Sequence, residues 1–92
     1  MKIFQEFLNR GLIKEEKIEF AQIEKVIKKA HRSTKSAKVL LEDNDSEGSY
    51  QLSYEAMLLA GRALVFSYNC RPRTAGSHKI VVEFSEKILG EK

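Results

Sequence analysis

Three residues near the end of the chain, Arg71, Arg73 and His78, have side chains that can act on phosphate groups. Guanidinium groups bind phosphate through paired hydrogen bonds, and histidine accepts or donates a proton near neutral pH. Ser77 is a favoured cap for a helix starting at His78, and the N–H groups at a helix start attract anions. Together Arg71, Arg73, Ser77 and His78 are called the basic cluster. Their pattern predicts a phosphate site suited to cleaving RNA through its own 2′-hydroxyl, although a solvated basic loop gives the same pattern.

Residues that bind metal ions are few. The single cysteine, Cys70, excludes an internal disulfide and a cysteine zinc site, and His31 and His78 are the only histidines. The acidic segment 43–49 lacks the spacing and the terminal glutamate of a calcium loop. We therefore expect no metal site, and the chemistry of the basic cluster requires no cofactor.

The stretch from Leu52 to Tyr68 is predicted to form the central helix of the fold. Its apolar residues recur at steps of three and four, which indicates a helix buried on most of its circumference. One set is Leu52, Ala56, Leu59, Ala63 and Phe66, and the other is Met57, Ala60, Leu64 and Tyr68. Gly61 costs about 1 kcal/mol of helix propensity relative to alanine, so we expect a neighbouring helix to approach closely there.

Three further helices are predicted around the central helix. They run from Ile3 to Asn9, from about Glu19 to about Glu42, and from His78 to about Leu89. The long helix should bury the face formed by Ile23, Ile27, Ala30, Thr34, Ala37 and Leu41. Residues 12–17 read as a charged connection, and residues 43–49 as a loop in which Ser46 or Ser49 caps the central helix. The fold class is therefore all-α: a short N-terminal helix and an antiparallel three-helix core.

The long helix carries a concentration of positive charge. Between residues 25 and 38 there are six bases and no acid. These residues, called the basic stripe, are Lys25, Lys28, Lys29, Arg32, Lys35 and Lys38. A solvated helix face accounts for such a run, and a surface facing phosphates is the alternative.

Composition limits the class of protein. The net charge of +3 is too small to predict nucleic-acid binding by itself. Charged residues interrupt the apolar N-terminus before a signal peptide could form, and no uncharged run is long enough to span a membrane. We expect a soluble, cytoplasmic protein, and its small size and doubly apolar central helix favour a homodimer.

The segment from Tyr50 to Phe84 resembles the HEPN domain (higher eukaryotes and prokaryotes nucleotide-binding). The matching residues are Tyr54, Ala56, Met57, Ala60, Arg62, Ala63 and Leu64 in the central helix, Arg71 and Pro72 in the turn, and His78, Val81, Val82 and Phe84 after it. The segments FQEFLNRGLI and AKVLLE also look like one prokaryotic branch of the family. The resemblance implies that residues 1–92 form a single HEPN-like domain without the C-terminal helix that members often carry.

The resemblance also implies an up-and-down bundle and a class of activity. Many HEPN proteins are metal-independent endoribonucleases, often toxins paired with a nucleotidyltransferase-like antitoxin. Their active site is an arginine followed closely by a histidine, completed across a dimer interface. Carried over, Arg73 would stabilise the phosphate and His78 would serve as base or acid, with Arg71 and Ser77 binding phosphate. The alternative is a non-catalytic interaction or dimerisation module that pairs with a nucleotidyltransferase-like partner.

Overall fold

The computed structural model describes residues 2–73 and 78–90. Within them the chain forms four helices and two short strands. In chain order these are α1 (Lys2–Asn9), β1 (Ile13–Glu15), α2 (Phe20–Glu42), α3 (Ser46–Ser67), β2 (Cys70–Pro72) and α4 (His78–Gly90). The helical bundle predicted from the sequence is confirmed, and the small sheet is an addition to it. None of the described helices is long and apolar enough to cross a membrane.

Helices α2 and α3 form an antiparallel hairpin, the most extensive contact in the described structure. The turn between them is shorter than predicted, because α3 begins at Ser46. Asp45 is the N-cap, and its carboxylate oxygen Oδ1 accepts a hydrogen bond of 2.9 Å from the backbone N–H of Gly48. The prediction that Ser46 or Ser49 caps this helix was wrong, since both lie within α3. A carboxylate at this position also interacts favourably with the helix dipole.

Helix α2 contacts α3 through a face rotated from the predicted one. Ala30 and Ala37 are buried as expected, whereas Ile27 and Leu41 are 53% and 59% exposed. Ile23 is half-buried, in line with the prediction, and the half-buried residues Val26, Ser33 and Leu40 complete the contact face. Choosing Ile27, Thr34 and Leu41 was wrong, because all three are exposed and the apolar repeat of α2 is wide enough to fit two adjacent faces.

Strands β1 and β2 form an antiparallel pair that the sequence did not predict. Ile13 lies opposite Pro72, and Lys14 lies opposite Arg71. Asn69, in the left-handed region at φ 55°, turns the chain out of α3. Its side-chain oxygen accepts a hydrogen bond of 3.2 Å from the backbone N–H of Ile18. The pairing therefore joins the segment before α2 to the segment after α3.

The core lies where α1, the sheet and α4 meet the end of α3. Its fully buried side chains are Phe7, Ile13, Val65, Cys70 and Phe84. The ring of Phe84 makes edge-to-face contacts with Phe7 and Tyr68, with centroids 5.3 and 5.7 Å apart. Such pairs contribute about 0.5–1.5 kcal/mol beyond the area they bury. This packing positions the sheet, which carries Arg71, and helix α4, which begins at His78.

The close approach predicted at Gly61 is present. A Cβ atom placed there would lie 2.8 Å from Cγ1 of Val81 and 3.1 Å from Oγ of Ser85. Glycine is therefore required for α4 to pack against α3.

One flank of α3, between α2 and α4, is open. Met57 and Ala60 are exposed on it, so the prediction that α3 is buried on most of its circumference was wrong on this side.

Candidate functional site

Arg71 lies in β2 and is held on two sides. Its Nε donates a hydrogen bond of 2.6 Å to Oε2 of Glu16, which follows β1. Its guanidinium carbon lies 5.0 Å from the centroid of the Phe66 ring, a cation–π contact. Within the described residues, the hydrogen bonds of this guanidinium involve Nε, which leaves its two terminal nitrogens to contact a ligand.

Arg73 directly follows β2 and has an exposed side chain. Its backbone N–H donates a hydrogen bond of 3.0 Å to the carbonyl oxygen of Leu12, so the strand pairing extends to this residue. Arg73 thus lies two residues after Arg71, at the end of the paired segment.

His78 is the first residue of α4, and its side chain is exposed. It borders a groove between α3, α4 and the end of α1. The other residues lining the groove are Arg10, Tyr54, Lys79, Val82, Glu83 and Glu86. Because two bases and two acids share this groove, its charge is nearly balanced, and Arg10 pairs with Glu83 at 3.8 Å. The imidazole is thus accessible in a cleft of mixed polarity.

Sequence reasoning missed Arg10 as a neighbour of His78. The two residues are far apart in the chain, and only the docking of α1 beside α4 brings them to one groove. Tyr54 is 44% exposed and lines the same groove. The sequence carried no local signal for either position, since both depend on the packing of helices.

The predicted basic cluster is described only in part. Ser77 and residues 74–76, which connect Arg73 to His78, lie outside the described residues. Among the residues that the structure does describe, no hydrogen bond or ion pair joins His78 to Arg71 or Arg73. The structure therefore describes Arg71 in β2, Arg73 directly after it and His78 at the start of the next helix.

No group of three or more His, Cys, Asp or Glu residues in ranges 2–73 and 78–90 is arranged to hold a metal ion. Cys70 is buried, and its sulfur donates a hydrogen bond of 3.3 Å to the carbonyl oxygen of Val65. Burial, and secondarily the charge of Glu15, raises the pKa of the Cys70 thiol to about 11. A neutral, enclosed thiol is a poor nucleophile, so Cys70 is a packing residue.

Comparison with known proteins identifies the family. No curated protein and no solved structure is significantly similar to the chain. A family model described as HEPN domain matches residues 23–92, which include most of α2 and all of α3, the basic cluster and α4. The match extends over well more than half of the sequence and agrees with the observed helical bundle. The chain therefore belongs to the HEPN domain family.

Proposed function

We propose that this HEPN domain binds the phosphate of RNA or of a nucleotide at the basic cluster and cleaves RNA there. The observation that supports the proposal most is the exposed imidazole of His78 at the start of α4, bordering a groove. Arg73, which follows β2 and precedes His78 in the chain, also has an exposed side chain. Membership of the HEPN family, whose domains are often nucleotide- or RNA-related, supports the same function.

The chemistry follows from the two residue types. The 2′-hydroxyl oxygen of the substrate attacks the adjacent phosphorus, the bond to the 5′-oxygen breaks, and a 2′,3′-cyclic phosphate and a 5′-hydroxyl result. His78 takes the proton of the 2′-hydroxyl or gives one to the departing oxygen. Arg73 stabilises the negative charge on the phosphoryl oxygens, and Arg71 binds phosphate through its terminal nitrogens. A second proton-transfer group then comes from a second copy of the chain or from water.

An RNA cleavage assay in EDTA tests this function. We expect cleavage by the unmodified protein and a loss of about 100-fold or more in His78→Ala, the usual contribution of a general acid or base. Arg73→Ala should lose activity as well. His31→Ala is the matched control, because His31 is an exposed histidine on α2. Intact RNA with the unmodified protein, or normal cleavage by His78→Ala, shows that the proposed activity is wrong.

The proposed active form is a homodimer, and an apolar strip supports it. Two adjoining grooves that share Ala60 and Leu64 form this strip across α2, α3 and α4. The residues of the apolar strip are Ile27, Met57, Ala60, Leu64, Val82 and Leu89. Met57 is 49% and Leu89 76% exposed, which is unfavourable in water.

Sedimentation equilibrium tests the dimer. Met57→Lys with Leu89→Lys should shift the protein to monomer, since both changes place charges on the apolar strip. Val39→Lys with Leu41→Lys is the control, because these residues are similarly exposed but lie near the other end of α2. A dimer that survives the first pair of changes, or a monomeric unmodified protein, contradicts the assignment.

The ion pair between Arg71 and Glu16 favours a second candidate function. Because Arg71 pairs with an acid of its own chain, its role can be to stabilise the sheet and not to bind phosphate. In this candidate the domain is a non-catalytic module, and the apolar strip docks a nucleotidyltransferase-like antitoxin. Two results together favour this module: the unmodified protein does not cleave RNA, and it is a monomer, so that the apolar strip stays exposed.

A further inference from the structure

The positive charge of the chain is concentrated on α2. The basic stripe contributes six bases and no acid between residues 25 and 38, whereas the net charge of the whole chain is +3. All other residues together therefore carry a net charge of −3. The modest overall charge therefore combines a strongly positive helix with a remainder of the chain whose net charge is negative.

The stripe lies on the side of α2 that faces away from α3. All six of its side chains are exposed, whereas the contact residues Ala30 and Ala37 are buried. Lys28 pairs with Glu24 at 3.5 Å. Within the described residues, this is the one ion pair that a residue of the stripe makes. Five of the six charges are therefore not neutralised by acids of the described part of the chain.

The spacing along α2 places like charges next to each other. Lys25 and Lys29, and likewise Lys28 and Arg32, are four residues apart, so their side chains are neighbours on the helix surface. Each such pair of like charges destabilises the helix. The row extends over about 15 Å between Lys25 and Lys35 at the rise of an α-helix. A polyanion lying along this row removes the repulsion.

The stripe also leads toward the basic cluster. The segment before α2 is joined to the end of α3 by the hydrogen bond between Ile18 and Asn69. Glu16 in the same segment holds Arg71. Lys25, in the second turn of α2, is therefore the end of the stripe that lies nearer to the basic cluster.

We infer that the basic stripe binds the sugar–phosphate backbone of a nucleic-acid strand. The inference rests on the proposed function for the identity of the polymer, because the basic cluster is proposed to act on RNA. Lysine and arginine contacts to phosphates position a strand without reading its bases. The stripe therefore supplies affinity that is independent of sequence and sensitive to salt.

The probe is a fluorescent single-stranded DNA of 20 deoxythymidines, which lacks the 2′-hydroxyl and is not cleaved by the proposed reaction. Binding is measured as a function of salt for the full chain. The stripe variant is Lys25→Gln, Lys29→Gln, Arg32→Gln and Lys35→Gln; glutamine is a good helix former, so α2 should persist. The control variant is Lys2→Gln, Lys14→Gln, Lys17→Gln and Lys87→Gln, which removes the same charge from exposed positions outside α2.

We expect the stripe variant to bind at least tenfold more weakly. The slope of log affinity against log salt should fall by about 0.7 for each phosphate that the variant no longer neutralises, and the control should stay close to the unmodified protein. Equally weakened binding in both variants, or an unchanged slope in the stripe variant, overturns the inference. Binding to vesicles of phosphatidylcholine and phosphatidylserine, without binding to the oligonucleotide, overturns it in favour of a membrane surface.

The inference and the proposed function fail separately. A protein that binds DNA through the stripe but leaves RNA intact refutes the proposed cleavage and supports the stripe. A protein that cleaves RNA but whose stripe does not contribute to DNA binding supports the proposed cleavage and refutes the inference about the stripe.

Discussion

The Nε of Arg71 lies 2.6 Å from Oε2 of Glu16, on two residues that are 55 positions apart in the sequence. This ion pair sits beside the two-stranded sheet and orients a guanidinium of the basic cluster. The side chains are 32% and 41% exposed, so water weakens the attraction. Glu16 is thus a positioning residue for the arginine that we propose contacts phosphate.

A double-mutant cycle measures the strength of this pair. Glu16→Gln, Arg71→Gln and the double variant should give a coupling energy of about 0.5–1 kcal/mol, since the pair is short but partly solvated. Urea unfolding of the four proteins supplies the values. The pair of Arg10 and Glu83, at 3.8 Å, serves as the comparison and should couple more weakly. A coupling energy near zero for the first pair contradicts its proposed role.

The cap of α3 gives a second prediction. Asp45→Ala should lower the free energy of unfolding by about 1 kcal/mol, because the Gly48 N–H loses its acceptor. Ser46→Ala, at the first position of the helix, should change stability by less than about 0.5 kcal/mol. Thermal or urea unfolding distinguishes them. A larger effect at Ser46 than at Asp45 means that the cap is assigned to the wrong residue.

The close contact at Gly61 gives a third prediction. Gly61→Ala gains about 1 kcal/mol of helix propensity, but its methyl group meets the stiff side chain of Val81. Overpacking of this kind costs about 1–3 kcal/mol, so we expect net destabilisation. Gly90→Ala is the control, because no atom lies within 4 Å of its added Cβ. A Gly61→Ala protein as stable as Gly90→Ala rules out the close packing of α4 on α3.

Cys70 should be protected from alkylation. Burial raises the pKa of its thiol from 9.0 to about 11, so at pH 8 the folded protein holds almost no thiolate. Iodoacetamide should react far more slowly with the native protein than with protein in urea. Since the folded form keeps its proton longer than the unfolded form, stability should fall as the pH rises from about 9 to about 11. The contribution of the thiol to this fall should be absent in Cys70→Ala, and rapid reaction of the native thiol contradicts this account.

The sequence predicted the helices well, because their apolar residues repeat at helical spacing over many turns. Helix α1 and the last helix, α4, were placed within about a residue of their observed bounds. The strands β1 and β2 were missed because three-residue strands have no measurable alternation. Their pairing depends on contacts between segments that lie more than fifty positions apart, as Ile13 and Pro72 do.

The residue types of the candidate site could be predicted from the sequence, whereas the residues that surround them in space could not. The types and spacing of Arg73 and His78 are visible in the sequence, and both side chains are exposed. The partners that modify the site are set by tertiary packing: Glu16 reaches Arg71 through the sheet, and Arg10 reaches the His78 groove through α1. Neither partner lies close in sequence to the residue that it affects.

The central claim is that His78 and Arg73 hold an anion together. NMR signals of the imidazole rings during titration with inorganic phosphate test it most directly, using the protein in which the basic stripe is neutralised so that His31 serves as the internal control. We predict a saturable shift of the His78 signals, little change at His31, and loss of the His78 shift in Arg73→Ala. Unmoved His78 signals, or equal movement at both histidines, contradict the claim.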